Sequence, residues 1–106
     1  PGSVYLSSIY GRLIQISYKF EEYEEVRRLF SLFQDVSSPN QPSFYEVEFI
    51  AALSLYELAD YNRAVEILLS FPEKSEYYYF AQYMIGSVYA AGLFKCLGPI
   101  LHPCRR

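Results

Sequence analysis

Apolar residues recur at helical spacing along most of the chain. Residues 4–18 carry Val4, Leu6, Ile9, Tyr10, Leu13, Ile14 and Ile16, a pattern that predicts a largely buried helix rather than an alternating strand. Lys19-Phe20-Glu21-Glu22 interrupts it. A second helix is predicted over 23–36, with Val26, Leu29, Phe30 and Phe33 on one stripe. Glu21, Glu22, Glu24 and Glu25 crowd its start, where the helix dipole favours negative charge. Ser37-Ser38-Pro39-Asn40-Gln41-Pro42 is a linker, because two prolines oppose helix and the other residues favour turns. Ser43 with Glu46 then reads as a capping box for a third helix that reaches about Ala59. Asp60 is the expected N-cap of a fourth helix over 61–71, which Pro72 ends. Ser75 is the expected cap of a fifth, running to about Ala91 before Gly92. Tyr77-Tyr78-Tyr79-Phe80 has strand propensity but flows into Ala81, Met84 and Ile85 at helical spacing, so the expected class is all-α.

The joints between these helices repeat. In LYELADYNRAVEILL (55–69), a good helical pattern breaks for only Asp60-Tyr61-Asn62 and resumes. The same context occurs earlier: Lys19-Phe20-Glu21-Glu22-Tyr23-Glu24-Glu25-Val26 aligns with Glu57-Leu58-Ala59-Asp60-Tyr61-Asn62-Arg63-Ala64. The interval from Tyr23 to Tyr61 recurs between Val26 and Ala64, and between Phe30 and Leu68. Aligning the fifth helix on the third sets Ala52 on Gly86, Leu55 on Tyr89 and Tyr56 on Ala90, at a slightly shorter interval. The longer interval is explained if the proline-bearing linker holds four inserted residues. A fixed period of this size predicts stacked units rather than a single irregular bundle. Tyr61 is expected to wedge into the corner of its hairpin, and Ala64 to let the two helices cross closely.

A 34-residue helix–turn–helix unit with small residues at the crossings resembles the tetratricopeptide repeat, whose signature is W-x2-L-G-x2-Y, then A-x3-F, then P. Gln82-x2-Ile85-Gly86-x2-Tyr89 matches the first helix, and Val26-x3-Phe30 and Ala64-x3-Leu68 match the second. The departures are definite. Tyr10, Glu48 and Gln82 stand where the signature has tryptophan, the first unit has Leu13-Ile14 and Ser17, and Pro72 comes early. The resemblance spans about residues 4–91. It implies antiparallel helix hairpins stacked as a short right-handed solenoid of about two and a half repeats, occupying 4–93. Residues 94–106, broken by Gly98-Pro99 and Pro103, read as an irregular C-terminal tail. Pro1-Gly2-Ser3 reads as a cloning scar and is set aside from the fold.

Composition narrows the chemistry. The 106 residues suit one domain, and 52% are hydrophobic, with twelve Tyr, eight Phe and no Trp. A net charge of −3 opposes nucleic-acid partners, which are held mainly through phosphates by basic surfaces. No run reaches the roughly 18 apolar residues of a membrane span. The two cysteines, Cys96 and Cys104, fall close to the end and make no disulfide framework, so the compartment stays open. No catalytic set assembles around the lone His102, and no glycine-rich phosphate loop appears, so no enzyme is expected. Cys96, His102 and Cys104 form C-x5-H-x-C, which lacks zinc spacing and a fourth ligand. The glutamates at 21–25 read as a solvated helix start. No metal or cofactor is expected.

Surface is what remains. The resemblance implies that the first helix of each unit lines a concave face. By alignment this face carries Ser8, Gly11, Gln15 and Lys19, then Glu46, Phe49, Leu53, Tyr56 and Glu57, then Phe80, Tyr83, Ser87 and Ala90. Phe49, Leu53, Tyr56, Phe80, Tyr83 and Ser87 are the expected partner-binding residues. For Phe49 and Phe80, packing between units competes equally with exposure; Tyr56 and Tyr83 are expected to face solvent. The positions that match the family's clamp on a terminal carboxylate, Gly11, Gln15, Phe49, Leu53, Tyr83 and Ser87, hold no cation, so that clamp is not expected. An apolar or aromatic segment of another protein, extended or helical, fits better. The alternative is a structural segment that self-associates or continues a longer scaffold, because the fifth helix lacks a second helix to cover it and solenoid ends need caps.

Overall fold

Five α-helices account for most of the residues that the computed structural model describes, 2–41 and 43–90, and no strand occurs among them. They are α1 (Gly2–Lys19), α2 (Tyr23–Val36), α3 (Phe44–Glu57), α4 (Tyr61–Leu69) and α5 (Tyr78–Ala90). Each helix packs on its neighbours in the chain, and α1 also packs against α3. The body measures 48 × 29 × 21 Å. The backbone of Gly2 and Ser3 continues α1. Residues 91–106, including Cys96, His102 and Cys104, lie outside the described residues.

The two hairpin turns have the same geometry. Glu21 and Ala59, equivalent positions in the aligned units, both adopt the left-handed conformation, with φ of 60° and 65°. At the first turn the Glu22 N–H donates to the Ser17 carbonyl at 2.9 Å and the Glu21 N–H to Tyr18 at 2.9 Å. At the second the Asp60 N–H donates to Leu55 at 2.8 Å and the Ala59 N–H to Tyr56 at 3.0 Å. Both are Schellman closures, a six-to-one bond over a five-to-two bond around a left-handed residue. The next residue, Glu22 or Asp60, is at once the end of one motif and the N-cap of the following helix. Tyr23 and Tyr61 then sit in matched surroundings. Each is half-buried, and each meets the tyrosine five positions earlier, Tyr18 at 6.0 Å and Tyr56 at 5.3 Å between ring centroids.

Below the turns the equivalent core positions are shut off from solvent: Val26 and Ala64 are fully buried, and Phe30 and Leu68 nearly so. α3 is central and buries Val47, Ala51, Ala52 and Leu55. The buried positions of α5, Ala81, Ile85 and Val88, align in sequence with Val47, Ala51 and Ser54, all buried on α3. A run of ring contacts joins the layers: Phe33 to Phe44 at 6.0 Å, Tyr45 to Phe71 at 5.5 Å, and Phe49 to Tyr77 at 5.3 Å, within the favoured range for aromatic pairs.

Several local expectations are corrected. Ser43 forms no capping box: its φ of 68° is left-handed and its side chain makes no cap bond. Gln41 organises this entry instead, its Oε1 accepting the Ser38 N–H at 2.9 Å and its amide nitrogen donating to the Ser7 hydroxyl on α1. Asp60 holds the N-cap position without a side-chain cap bond, and reaches Arg27 Nη1 at 3.6 Å. Ser75 caps a preceding turn, its hydroxyl accepting the Tyr77 N–H at 3.1 Å, and α5 starts only at Tyr78. α4 stops at Leu69 because Ser70 and Phe71 close a tighter turn onto Ile67 and Leu68 before Pro72.

The largest correction concerns α1, expected to be largely buried. Of its predicted core residues whose side chains are described, only Ile14 is buried; Leu6, Ile9, Leu13 and Ile16 are exposed. The buried stripe is instead Ser7, Gly11, Ile14 and Ser17. Small residues let α1 approach its neighbours closely: a Cβ at Gly11 would stand 3.3 Å from Val47 Cγ2.

Candidate partner-binding face

α1 and the start of α3 run beside each other, and a cleft of about 580 Å3 opens between them. Its floor is apolar and narrow, formed by Gly11, Phe33 and Val47. Its rim carries hydrogen-bonding and charged groups: Ser8, Arg12 and Gln15 from α1, Gln41 and Ser43 from the linker, and Glu46 from α3. The size suits one or a few side chains of a ligand, since small-molecule sites start at roughly 300 Å3. Four of the aligned face positions, Ser8, Gly11, Gln15 and Glu46, therefore line one cavity.

Two contributors lie outside the aligned set. Arg12 brings a cation to the rim, where none of the aligned positions that line the cleft is cationic. It sits one residue beyond Gly11, where periodicity places it off the face. Gln41 lies in a linker with no helical period to flag it, yet its bond to Ser7 fixes the linker against α1.

The six expected binding residues divide into two groups. Phe49 is half-buried and packs between elements, with Phe71 at 6.2 Å, Tyr77 at 5.3 Å and Phe80 at 6.2 Å. Tyr56, expected to face solvent, is half-buried edge-on against Tyr61. Leu53 and Ser87 are also half-buried. Phe80 and Tyr83 stand open, 62% and 72% exposed, with Tyr79 beside them at 77%. The solvent-facing aromatic surface is thus concentrated on α5, and Phe49 carries it back to α3 through its contact with Phe80. Burial raises the Tyr77 phenol above its ordinary value, with Glu46 and Glu76 adding to it, so this ring stays a neutral donor.

The acidic turn is solvated. Arg27 pairs with Glu24 at 2.7 Å and Arg28 with Glu25, one helical turn apart in each case. The Arg28 hydrogen bond holds the Glu25 carboxyl below the usual range. Such exposed pairs contribute little to stability. Among the described residues no group of three or more His, Cys, Asp or Glu is arranged to hold a metal ion, and no helix is long and apolar enough to cross a membrane.

Compared with models of protein families, with characterised proteins and with solved structures, the chain matches none of them.

Proposed function

We propose that this chain is a non-enzymatic, tetratricopeptide-like module that binds a segment of another protein along the face made by α1, α3 and α5. One observation supports this reading above the others. The face positions aligned from the repeat, Ser8, Gly11 and Gln15 of one unit and Glu46 of the next, border a common cleft, and the aromatic positions of the third unit, Phe80 and Tyr83, are open to solvent. The recurrence of the same left-handed turn at Glu21 and Ala59 favours stacked hairpins in a short solenoid over an irregular bundle.

The ligand that fits has two parts. Near α5 an apolar or aromatic residue is received by Phe80 and Tyr83, rings that lose little rotamer freedom on burial. In the cleft a polar side chain or bare backbone is received by Gln15 and Gln41, with Arg12 and Glu46 opposing each other in charge. The pair of opposite charges disfavours a purely anionic ligand.

The test is selection from a displayed random-peptide library, followed by calorimetry on the winning peptides. Winners should carry an aromatic or large aliphatic anchor. Tyr83→Ala, with Phe80→Ala, should weaken them at least tenfold, about 1.4 kcal/mol. Arg12→Ala and Glu46→Ala should change the preference at polar positions. Peptides that bind equally well to all four variants would defeat the reading.

A further inference from the structure

α1 has two apolar stripes, and the bulky one faces water. Leu6, Ile9, Leu13, Ile16 and Phe20 are between 41% and 71% exposed. Their spacing is three, four, three, four: the first four hold one line over roughly 15 Å of α1, and Phe20 extends it in the turn just past Lys19, its N–H still bonded to the Ile16 carbonyl at 3.2 Å. This register is covered elsewhere in the chain. In the alignment of the units, Ile9, Leu13 and Ile16 fall on Val47, Ala51 and Ser54, and these fall on Ala81, Ile85 and Val88. The six later residues are at most 6% exposed, whereas the three on α1 are 41–52% exposed.

The geometry points to a second copy of this chain as the cover: α1 of one copy lies along α1 of another and closes a two-fold dimer. This goes beyond the peptide-binding reading and uses a different face. Four observations select the occupant. The covered registers on α3 and α5 include Ala51, Ser54 and Ala81, small residues suited to a close crossing by a hairpin of the same chain. The open register on α1 has only large residues in strict heptad order, the pattern of knobs packing into the holes of a similar, nearly aligned helix. With Tyr5, 76% exposed, the seam presents roughly 600 Å2, the top of the range for a patch on a monomer and near the ~800 Å2 each partner gives a stable interface. Finally, the other open rings, Tyr79, Phe80 and Tyr83, span little more than one turn of α5 and cannot match the length of this seam. An α1-to-α5 contact would be head-to-tail and build rings or filaments, whereas like-on-like pairing stops at two.

Sedimentation velocity on the whole chain, from low to high micromolar concentration, tests this. A reductant keeps Cys96 and Cys104 from cross-linking. The wild type should form a reversible dimer. Ile9→Asp with Ile16→Asp should raise the dissociation constant at least tenfold, leaving helical dichroism unchanged, and leaving the melting midpoint unchanged at dilutions where the wild type is itself monomeric, because both side chains lie off the core. The milder Leu13→Ser should weaken the dimer by the same route. Tyr83→Ala should leave it intact, which separates this result from the peptide-binding test. A wild type that stays monomeric, a dimer that survives both seam variants, growth past two copies, or a monomer that instead sediments with phosphatidylcholine vesicles through this stripe would each overturn the proposal.

Discussion

Glu48 stands where the repeat signature has tryptophan, and it is only 9% exposed. Burial pushes its carboxyl up to about 7, and a hydrogen bond with Ser70 offsets part of that rise. A carboxyl that holds its proton more tightly in the folded chain than in the unfolded one stabilises the fold fully below its ordinary value of 4.5. That contribution is lost as the pH climbs through about 7, and above it the fold carries a buried charge. Urea denaturation at acid and mildly alkaline pH should therefore show the wild type losing about 3 kcal/mol relative to Glu48→Gln on the way up. Parallel pH profiles for the two proteins would refute this. The other two positions aligned with tryptophan differ: Tyr10 is half-buried and Gln82 is exposed. One sequence position thus meets three environments, because burial depends on how many helices flank it, which no local pattern records.

At the level of elements, the hairpin turns are defined by backbone rather than side chain. The interruption at Asp60-Tyr61-Asn62 marks the second turn in the sequence, but its conformation is hidden, because the left-handed residues are Glu21 and Ala59 rather than glycine or asparagine. That conformation costs a residue with a Cβ about 1 kcal/mol or more. Ala59→Gly should stabilise the chain by about 1 kcal/mol, and Glu21→Gly by a similar amount, read from the urea midpoint. A lowered midpoint would mean that the turn is closed differently. Helix type and order are legible because the apolar period is strong. The helix start at Ser75 misleads because a serine before an aromatic run caps turns as readily as helices, whereas α3 does start after Ser43 and lacks only the side-chain cap bond. The orientation of α1 misleads for a related reason: Ser7-Gly11-Ile14-Ser17 and Leu6-Ile9-Leu13-Ile16 both keep helical spacing. Hydrophobicity favours the second stripe, while close approach to Val47 and Phe33 selects the first.

Over the whole molecule, helices packed in chain order give unequal cover. α3 is flanked by α1, α2 and α4, whereas α5 rests mainly on α4. Hydrogen exchange should find the amides of α2 and α3 protected longest and those of α5 opening first, as expected when stability is passed between neighbouring units. Equal protection throughout would mean that the helices open as one block. The candidate face is legible only in part. Alignment of the units locates Ser8, Gly11, Gln15 and Glu46, whereas Arg12 and Gln41 require the fold, since one lies off the repeat register and the other in a linker. The exposure of Phe80 and Tyr83, beside the partial burial of Phe49 and Tyr56, likewise depends on which rings meet across helices.

Those meetings have an optical consequence. The rings form an unbroken chain from Phe30 through Phe33, Phe44, Tyr45, Phe71, Tyr77 and Phe49 to Phe80. Two of these links, Phe33 to Phe44 and Phe49 to Phe80, bridge separate helices, others tie α3 to the segment between α4 and α5, and the sequence has no Trp to dominate the absorption. Near-ultraviolet dichroism of this protein is consequently a gauge of the seams between hairpins, while the amide bands gauge the helices themselves. A hairpin that slips against its neighbour without unwinding would alter the first signal and leave the second unchanged.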